Sequence, residues 1–415
     1  MGGAEPTGFT IGGRTMTETE DIIELDNRYG AHNYHPIPVV ISRSEGAWVW
    51  DVEGKKYMDC LSAYSAVNQG HRHPRIIKAA KDQMDKLDLT SRAFHNDVMG
   101  NFLKKLCEYT GFEVALPMNT GAEAVETGIK LARRWGYMRK GIERDRAEII
   151  VCCENFHGRT TTIVGFSSDP KAYSGFGPPT PGFTLIPYDD TGALKEAINE
   201  NTAAFLVEPI QGEAGVKVPN DGYLKKVREI CTRNEILFLL DEIQTGFCRT
   251  GEKFCWMHED ARPDVMLVGK ALGGGLYPVS AALADWDLMN VFTPGSHGST
   301  FGGNPVASAI GLASLEVLED EKLDTRAKKM GQYFMGKLME LRSDKIKEIR
   351  GKGLLTAVEL DERAGPARKY VQLLMEEGIL AKDTHGQTIR FAPALVITKE
   401  EIDWVVERIS KVLNQ

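Results

Sequence analysis

Two charged residues close two apolar runs. Leu239-Leu240-Asp241 ends one, and Val265-Met266-Leu267-Val268-Gly269-Lys270 ends another 29 residues further on. That interval is long enough for a helical crossover between parallel neighbouring strands. In such sheets ligands bind beyond the carboxyl ends of the strands, so both side chains can converge on one pocket. A lysine and a carboxylate meeting there suit pyridoxal 5'-phosphate (PLP). The lysine bonds the cofactor's aldehyde carbon, and the carboxylate keeps the pyridine nitrogen protonated so that the ring accepts electrons. Taken singly, each has a plainer reading, a strand-end acid and a surface lysine, and it is the pairing that outweighs those readings.

A phosphate needs amide donors. Thr120-Gly121-Ala122-Glu123 has the Ser/Thr-x-x-Glu form of a capping box, which leaves free backbone amides at a helix N-terminus. Gly298-Ser299-Thr300 offers two adjacent hydroxyls in a glycine-rich stretch. Other motifs fail. Gly246 to Gly251 has the glycine spacing of a triphosphate loop, but Glu252 comes before Lys253 and no Ser/Thr follows. No G-x-G-x-x-G follows a strand pattern. His71 and His73 have no recognisable third ligand, so no metal site is expected.

These residues need a scaffold. From Val114 onward short apolar runs alternate with helical patterns, which predicts an α/β fold with a largely parallel sheet. The strands expected are Val114–Met118, Glu148–Cys153, Phe183–Pro187, Ala203–Glu208, Ile236–Leu240, Val265–Val268 and Val279–Leu283. Several are continuously apolar, as strands covered on both faces are. A helix with apolar Ala122, Val125, Ile129 and Ala132 lies between the first two. Before Val114 a hairpin is expected, Ala47–Val52 and Lys55–Asp59 across Glu53-Gly54. Asn304-Pro305 opens a helix through Leu318. The remainder (Lys347–Leu360, Ala367–Glu377, Thr388–Phe391, Glu400–Val412) mixes strands and helices.

Composition narrows the class. The 415 residues carry 50 Lys plus Arg against 58 Asp plus Glu, a net charge of −8, with no long basic block, which disfavours a nucleic-acid surface. The seven cysteines form no C-x-x-C pair and read as thiols of a reducing compartment. The adjacent Cys152 and Cys153 read as buried strand-end thiols rather than a redox switch. No apolar run approaches the roughly 20 residues of a membrane span. The first 20 residues have neither signal-peptide nor transit-peptide character, so a cytoplasmic location is expected, or a mitochondrial one had a presequence been removed.

Asp241-Glu-Ile-Gln-Thr-Gly246, Gly269-Lys-Ala-Leu-Gly-Gly-Gly275 and His297-Gly-Ser-Thr-Phe-Gly-Gly-Asn-Pro305 together resemble the class III (ω-) aminotransferases, from about Tyr29 to the C-terminus. Tyr29-Gly-Ala-His-Asn-Tyr-His-Pro36, Ser62-Ala-Tyr-Ser-Ala-Val-Asn-Gln-Gly70, Pro117-Met-Asn-Thr-Gly-Ala-Glu-Ala124, Val207-Glu-Pro-Ile-Gln-Gly-Glu-Ala-Gly215 and Arg390-Phe-Ala-Pro393 are most similar to its ornithine-specific branch.

The resemblance implies fold-type I. It implies a large domain with a mostly parallel seven-stranded sheet and a smaller α+β domain from both chain ends. Residues 1–20 would be a flexible tail, 21–65 an N-terminal segment of the small domain, 66–304 the PLP domain and 305–415 the C-terminal small domain. Lys270 would hold PLP and shuttle a proton, Asp241 would pair with the pyridinium, Gln244 would bond the phenolic oxygen and Phe156 would stack on the ring. Thr120, Gly121 and Ala122 would bind the phosphate, and Ser299 and Thr300 would reach it from a partner subunit. The site would therefore be shared across a homodimer, with higher oligomers open.

On the substrate side, Arg159 would take the α-carboxylate of L-ornithine, with Tyr34 and Tyr64 docking that end. Arg390 would take the second carboxylate of 2-oxoglutarate and be neutralised by Glu213 while ornithine is bound. Acetylornithine or 4-aminobutyrate aminotransfer, a PLP aminomutase of the same fold, and a silent binding relative are the alternatives. The last should lack Lys270, and this chain has it.

Overall fold

The computed structural model describes residues 10–11, 14–15 and 17–415. A seven-stranded sheet runs in the spatial order Val114–Met118, Ser280–Ala284, Val265–Val268, Leu237–Asp241, Thr202–Val207, Glu148–Cys152 and Phe183–Ile186. Every strand expected from the sequence is there, with ends moved by at most two residues. Only Ser280–Ala284 runs antiparallel to its neighbours, so the sheet is mostly parallel.

The four strands from Ser280–Ala284 to Thr202–Val207 are buried at every residue. Their apolar runs do not alternate because both faces are covered. Period two still sorts the side chains. Ile149, Val151, Ala204, Leu206, Leu237 and Leu239 pack with Val125 and Ile129 of the Gly121–Trp135 helix. Ile150, Phe205, Val207, Phe238 and Leu240 pack on the other face with Val227 and Ile230 of the Tyr223–Arg233 helix.

The Gly121–Trp135 helix starts with the expected capping box. Thr120 Oγ1 accepts from Glu123 N (3.3 Å), and Glu123 Oε2 accepts from Thr120 N (2.7 Å). The helix axis thereby points its free amides at the carboxyl edge of the sheet, where Asp241 and Lys270 lie.

Two four-stranded sheets flank this core. One joins Ile41–Glu45, Trp48–Asp51 and Lys56–Asp59 to Ile379–Leu380, so the N-terminal hairpin pairs with a strand from the other end of the chain. The second contains Ile346–Lys352, Leu355–Leu360, Thr388–Phe391 and Lys382–Thr384. Helices Leu323–Met339 and Lys399–Leu413 pack against them, while Pro305–Asp320 packs on helices Pro74–Met84 and Met99–Thr110. The Leu323–Met339 helix is absent from the sequence reading, because only Glu321 and Lys322, the latter at φ 49°, separate it from the preceding helix.

Of the expected 1–20 tail, residues 1–9, 12–13 and 16 lie outside the described residues. Its last residues enter a helix, Glu18–Tyr29, because Thr17 and Glu20 form a capping box. No described helix is long and apolar enough to cross a membrane. His71 pairs with Asp59 and His73 with Glu321, both at 2.8 Å.

Candidate active site

Asp241 is the last residue of the central strand, and Lys270 opens a short 3-10 turn just after the neighbouring strand. Both line a cavity of about 190 Å³ at the carboxyl edge of the sheet, together with Gly121, Ala122, Phe156, His157, Glu208, Glu213 and Gln244. Sequence distance is removed here by parallel pairing, which sets Leu239–Asp241 beside Val265–Leu267.

Lys270 sits at φ 45°, in the left-handed region, and its amine has no hydrogen-bond or ion-pair partner among the described residues. Burial lowers its pKa. Glu213 opposes that shift and Arg390 adds to it. A lysine held this way is readier to present a neutral, nucleophilic amine.

Asp241 spends its two oxygens differently. Oδ1 accepts from Ile243 N (3.1 Å), and Oδ2 accepts from His157 Nδ1 (2.7 Å). His157 is fully buried, and its Nε2 has no partner among the described residues. Burial alone would lower the imidazole's pKa, but the hydrogen bond and charge of Asp241 outweigh it and raise it. Glu208 lies in the same buried group, accepts from Phe156 N (3.0 Å) and is pushed up to about 8 by burial, an effect His157 partly offsets.

Sequence reasoning gave neither His157 nor Glu208 a role. The signal was His157 standing between Phe156 and Arg159, and a glutamate directly after a buried strand.

Gly121 and Ala122 present the helix N-terminus to the cavity. A Cβ at Gly121 would lie 3.1 Å from Ile243, so the cradle is already close-walled. Thr120 is not among the lining residues. Its hydroxyl serves the capping box and its carbonyl accepts from Ser280 Oγ (2.7 Å). Ser299 and Thr300 also lie outside the lining. Ser299 Oγ accepts from Asn119 Nδ2 (2.9 Å), and Thr300 is exposed.

Arg390 ends up only 1% exposed, yet it is not fully paired. Nη1 donates to Glu213 Oε1 (2.7 Å) and Gly212 O (3.2 Å), while the buried Nε and Nη2 have no partner among the described residues. Gln244 Nε2 donates to the same Glu213 oxygen (3.1 Å), and Gln244 Oε1 is buried and unpartnered. Burial would raise the Glu213 carboxyl, but the charges of Arg390 and Lys270 win and lower it. Gly212 was missed by the sequence reading. A Cβ there would fall 1.5 Å from Gln244 Oε1, so glycine is what leaves room for the carboxamide.

Arg159 is exposed, its guanidinium 5.3 Å from the Phe156 ring centroid, and it has no ion-pair partner among the described residues. It lines a wider mouth of about 660 Å³ that shares Phe156 and Glu213 with the inner cavity. Tyr64 stacks its ring 5.0 Å from the Arg390 guanidinium carbon. Tyr34 is 78% exposed and lines neither cavity, though its phenol acts on that of Tyr64.

The inner cavity fits the group expected from the sequence. It combines amide donors suited to a phosphate, a carboxylate suited to a protonated ring nitrogen, a carboxamide with an unpartnered buried oxygen, and an unpartnered amine suited to an aldehyde.

Comparison with known proteins agrees. The aminotransferase class-III family model matches residues 29–413. An ornithine aminotransferase of Brevibacillus brevis is 57% identical over 399 residues, covering 96% of this chain and 99% of that protein. An ornithine aminotransferase structure from Toxoplasma gondii, with partial occupancy of PLP at its active site, has a TM-score of 0.94 at 49% identity, over 95% of this chain and 94% of that one. An acetylornithine aminotransferase structure from Elizabethkingia anophelis has a TM-score of 0.87 at 50% identity, over 96% and 100% of the two chains. With the family model spanning nearly the whole chain, and a cavity whose donors match the cofactor that family depends on, this protein belongs to the class III aminotransferases and is a PLP-dependent enzyme.

Proposed function

We propose that this enzyme moves the δ-amino group of L-ornithine to 2-oxoglutarate, giving L-glutamate and L-glutamate 5-semialdehyde, which cyclises to pyrroline-5-carboxylate. The observation that carries the reading is the Arg390–Glu213 pair beside Lys270, at 2.7 Å, with Gln244 on the same carboxylate oxygen. An arginine masked by a carboxylate suits a pocket that must take an amine-bearing chain in one half of the reaction and a second carboxylate in the other.

PLP, when bound, supplies the electron sink that lets an amino group leave one carbon and join another. Gly121 and Ala122 would hold its phosphate, Asp241 its ring nitrogen, Gln244 its phenolic oxygen, Phe156 its ring face and Lys270 its aldehyde carbon. Lys270 Nζ would carry the proton at the reacting carbon. His157 would keep the Asp241 carboxylate oriented through Nδ1. Arg159 would grip the substrate carboxylate at the mouth, far enough from Lys270 to leave the δ-amine at the cofactor. Tyr64 and Tyr34 would dock the same end.

We also infer a homodimer in which Ser299 and Thr300 serve the partner's cofactor phosphate. Their position outside this chain's own cavity supports that, as do exposed Phe94, Leu276 and Phe301. The Brevibacillus and Toxoplasma relatives favour ornithine; the Elizabethkingia structure favours N-acetylornithine as the alternative. Incubating the holoenzyme with 2-oxoglutarate and each donor, measuring the glutamate formed from each and trapping the cyclic product that ornithine alone yields, decides between them. Faster turnover of N-acetylornithine or 4-aminobutyrate would overturn the ornithine assignment.

A further inference from the structure

The chain between Asp59 and His71 carries strained backbone. Ser62, Ala63, Tyr64 and Ser65 follow one another at φ 48°, 46°, 61° and 71°, a left-handed turn made without glycine. Side chains disfavour this conformation because Cβ crowds the neighbouring carbonyl, so a run of four must be held by its surroundings. The turn's own hydroxyls do not hold it. Ser62 Oγ and Ser65 Oγ are buried without partners among the described residues.

The restraint comes from outside the turn. Asp59 ends the Lys56–Asp59 strand, and its Oδ1 accepts from Leu61 N (2.9 Å) and Ser62 N (2.8 Å). Its Oδ2 pairs with His71 Nε2 at 2.8 Å, which braces the carboxylate from the far side of the loop. Further along, Asn68 Nδ2 donates to Phe247 O (2.8 Å), and Gln69 Nε2 donates to the carbonyl of Ala271 (3.0 Å), the residue after Lys270. The base of the loop is thus anchored to the catalytic strand ends. Its apex is Tyr64, with its ring 5.0 Å from the Arg390 guanidinium carbon.

We propose that Asp59 is a positioning residue whose carboxylate, braced by His71, holds the left-handed turn Ser62–Ser65 and so places Tyr64 on Arg390 for ornithine binding. This rests on the reading of Tyr64 as an ornithine-docking residue. Two hydrogen bonds to a carboxylate are strong enough to hold such a turn, and their loss is expected to be felt at Tyr64 before it is felt in the core.

The test is a cycle of Asp59→Ala and Tyr64→Ala in the holoenzyme, with hydrogen exchange as a second readout. Asp59→Ala should raise the KM for ornithine by about tenfold or more and leave the cofactor's absorption spectrum unchanged. In the Tyr64→Ala background it should add less than about a twofold change, because the group it positions is already gone. Amides of residues 60–66 should exchange faster while the rest of the chain keeps its protection. Asp59→Asn, whose amide oxygen still accepts from both backbone N–H groups, should stay close to the parent enzyme.

An undiminished KM effect in the Tyr64→Ala background, or a rise in exchange along the whole chain, would overturn the proposal. If Asp59→Ala is insoluble, Ala63→Gly combined with it should restore solubility and part of the ornithine affinity by removing the crowded Cβ; no recovery counts against the proposal. Should Tyr64→Ala leave ornithine kinetics unchanged, the docking role of Tyr64 falls. The exchange of residues 60–66 would still show whether Asp59 holds the turn.

Discussion

Arg159 lines the outer mouth of the site, Arg390 meets the site through Glu213, and their surroundings divide their tasks. Arg159 is exposed and unpaired among the described residues, so a carboxylate can reach it without displacing anything. Arg390 is buried and must first lose Glu213. Arg159→Ala should therefore raise the KM of both substrates by about 10–100-fold, the worth of a charged hydrogen-bond pair. Arg390→Ala should impair chiefly the 2-oxoglutarate half. Single-turnover spectra of the separate halves check this, and equal damage to both by Arg390→Ala would refute the division. Glu208 makes a second prediction at this scale. Its folded pKa of about 8 lies above the ordinary 4.5, so the folded state keeps a proton that the unfolded chain releases. The stability it contributes is complete below about pH 4.5 and is lost as the pH rises through about 8. Melting temperatures taken from about pH 5 to 8 should fall less in Glu208→Gln than in the parent; identical slopes would count against a neutral Glu208.

The elements supply accuracy that no single side chain has. Strands ending in register put Asp241 and Lys270 on one edge, and the capped Gly121–Trp135 helix brings its amides to the same edge. The loop after Thr202–Val207 then folds Gly212 against Gln244, where a Cβ would sit 1.5 Å from Oε1. Gly212→Ala should expel the carboxamide and break its bond to Glu213, lowering kcat/KM by about 10–100-fold with a small change in melting temperature. A variant with parental kinetics would show that the loop yields instead. Elements were legible in the sequence where periodicity or a cap marked them, as at Thr120-Gly-Ala-Glu123. They were not where two helices meet across Glu321 and Lys322, because no Gly or Pro breaks the apolar pattern there.

For the whole molecule, Ser299 and Thr300 stand outside this chain's own cavity, in keeping with the proposed dimer, in which they would serve the partner's. Light scattering should give twice 45.9 kDa for the active enzyme, and full activity at the monomer mass would refute the shared site. The sequence by itself determined the layered α/β core, the cofactor's chemistry and the pairing of Asp241 with Lys270. Apolar runs, caps and charged strand ends are local, and they act through neighbours a few residues away. The pairing of Glu213 with Arg390, 177 residues apart, was expected only through the family resemblance, and the fold brings the two together. Only the tertiary structure decided that His157 would bond Asp241. It alone decided that a left-handed turn would bring Tyr64 to that arginine. Those outcomes depend on which strands and loops become neighbours, and burial then sets the strength of each charge. Neither quantity is written in spacing along the chain.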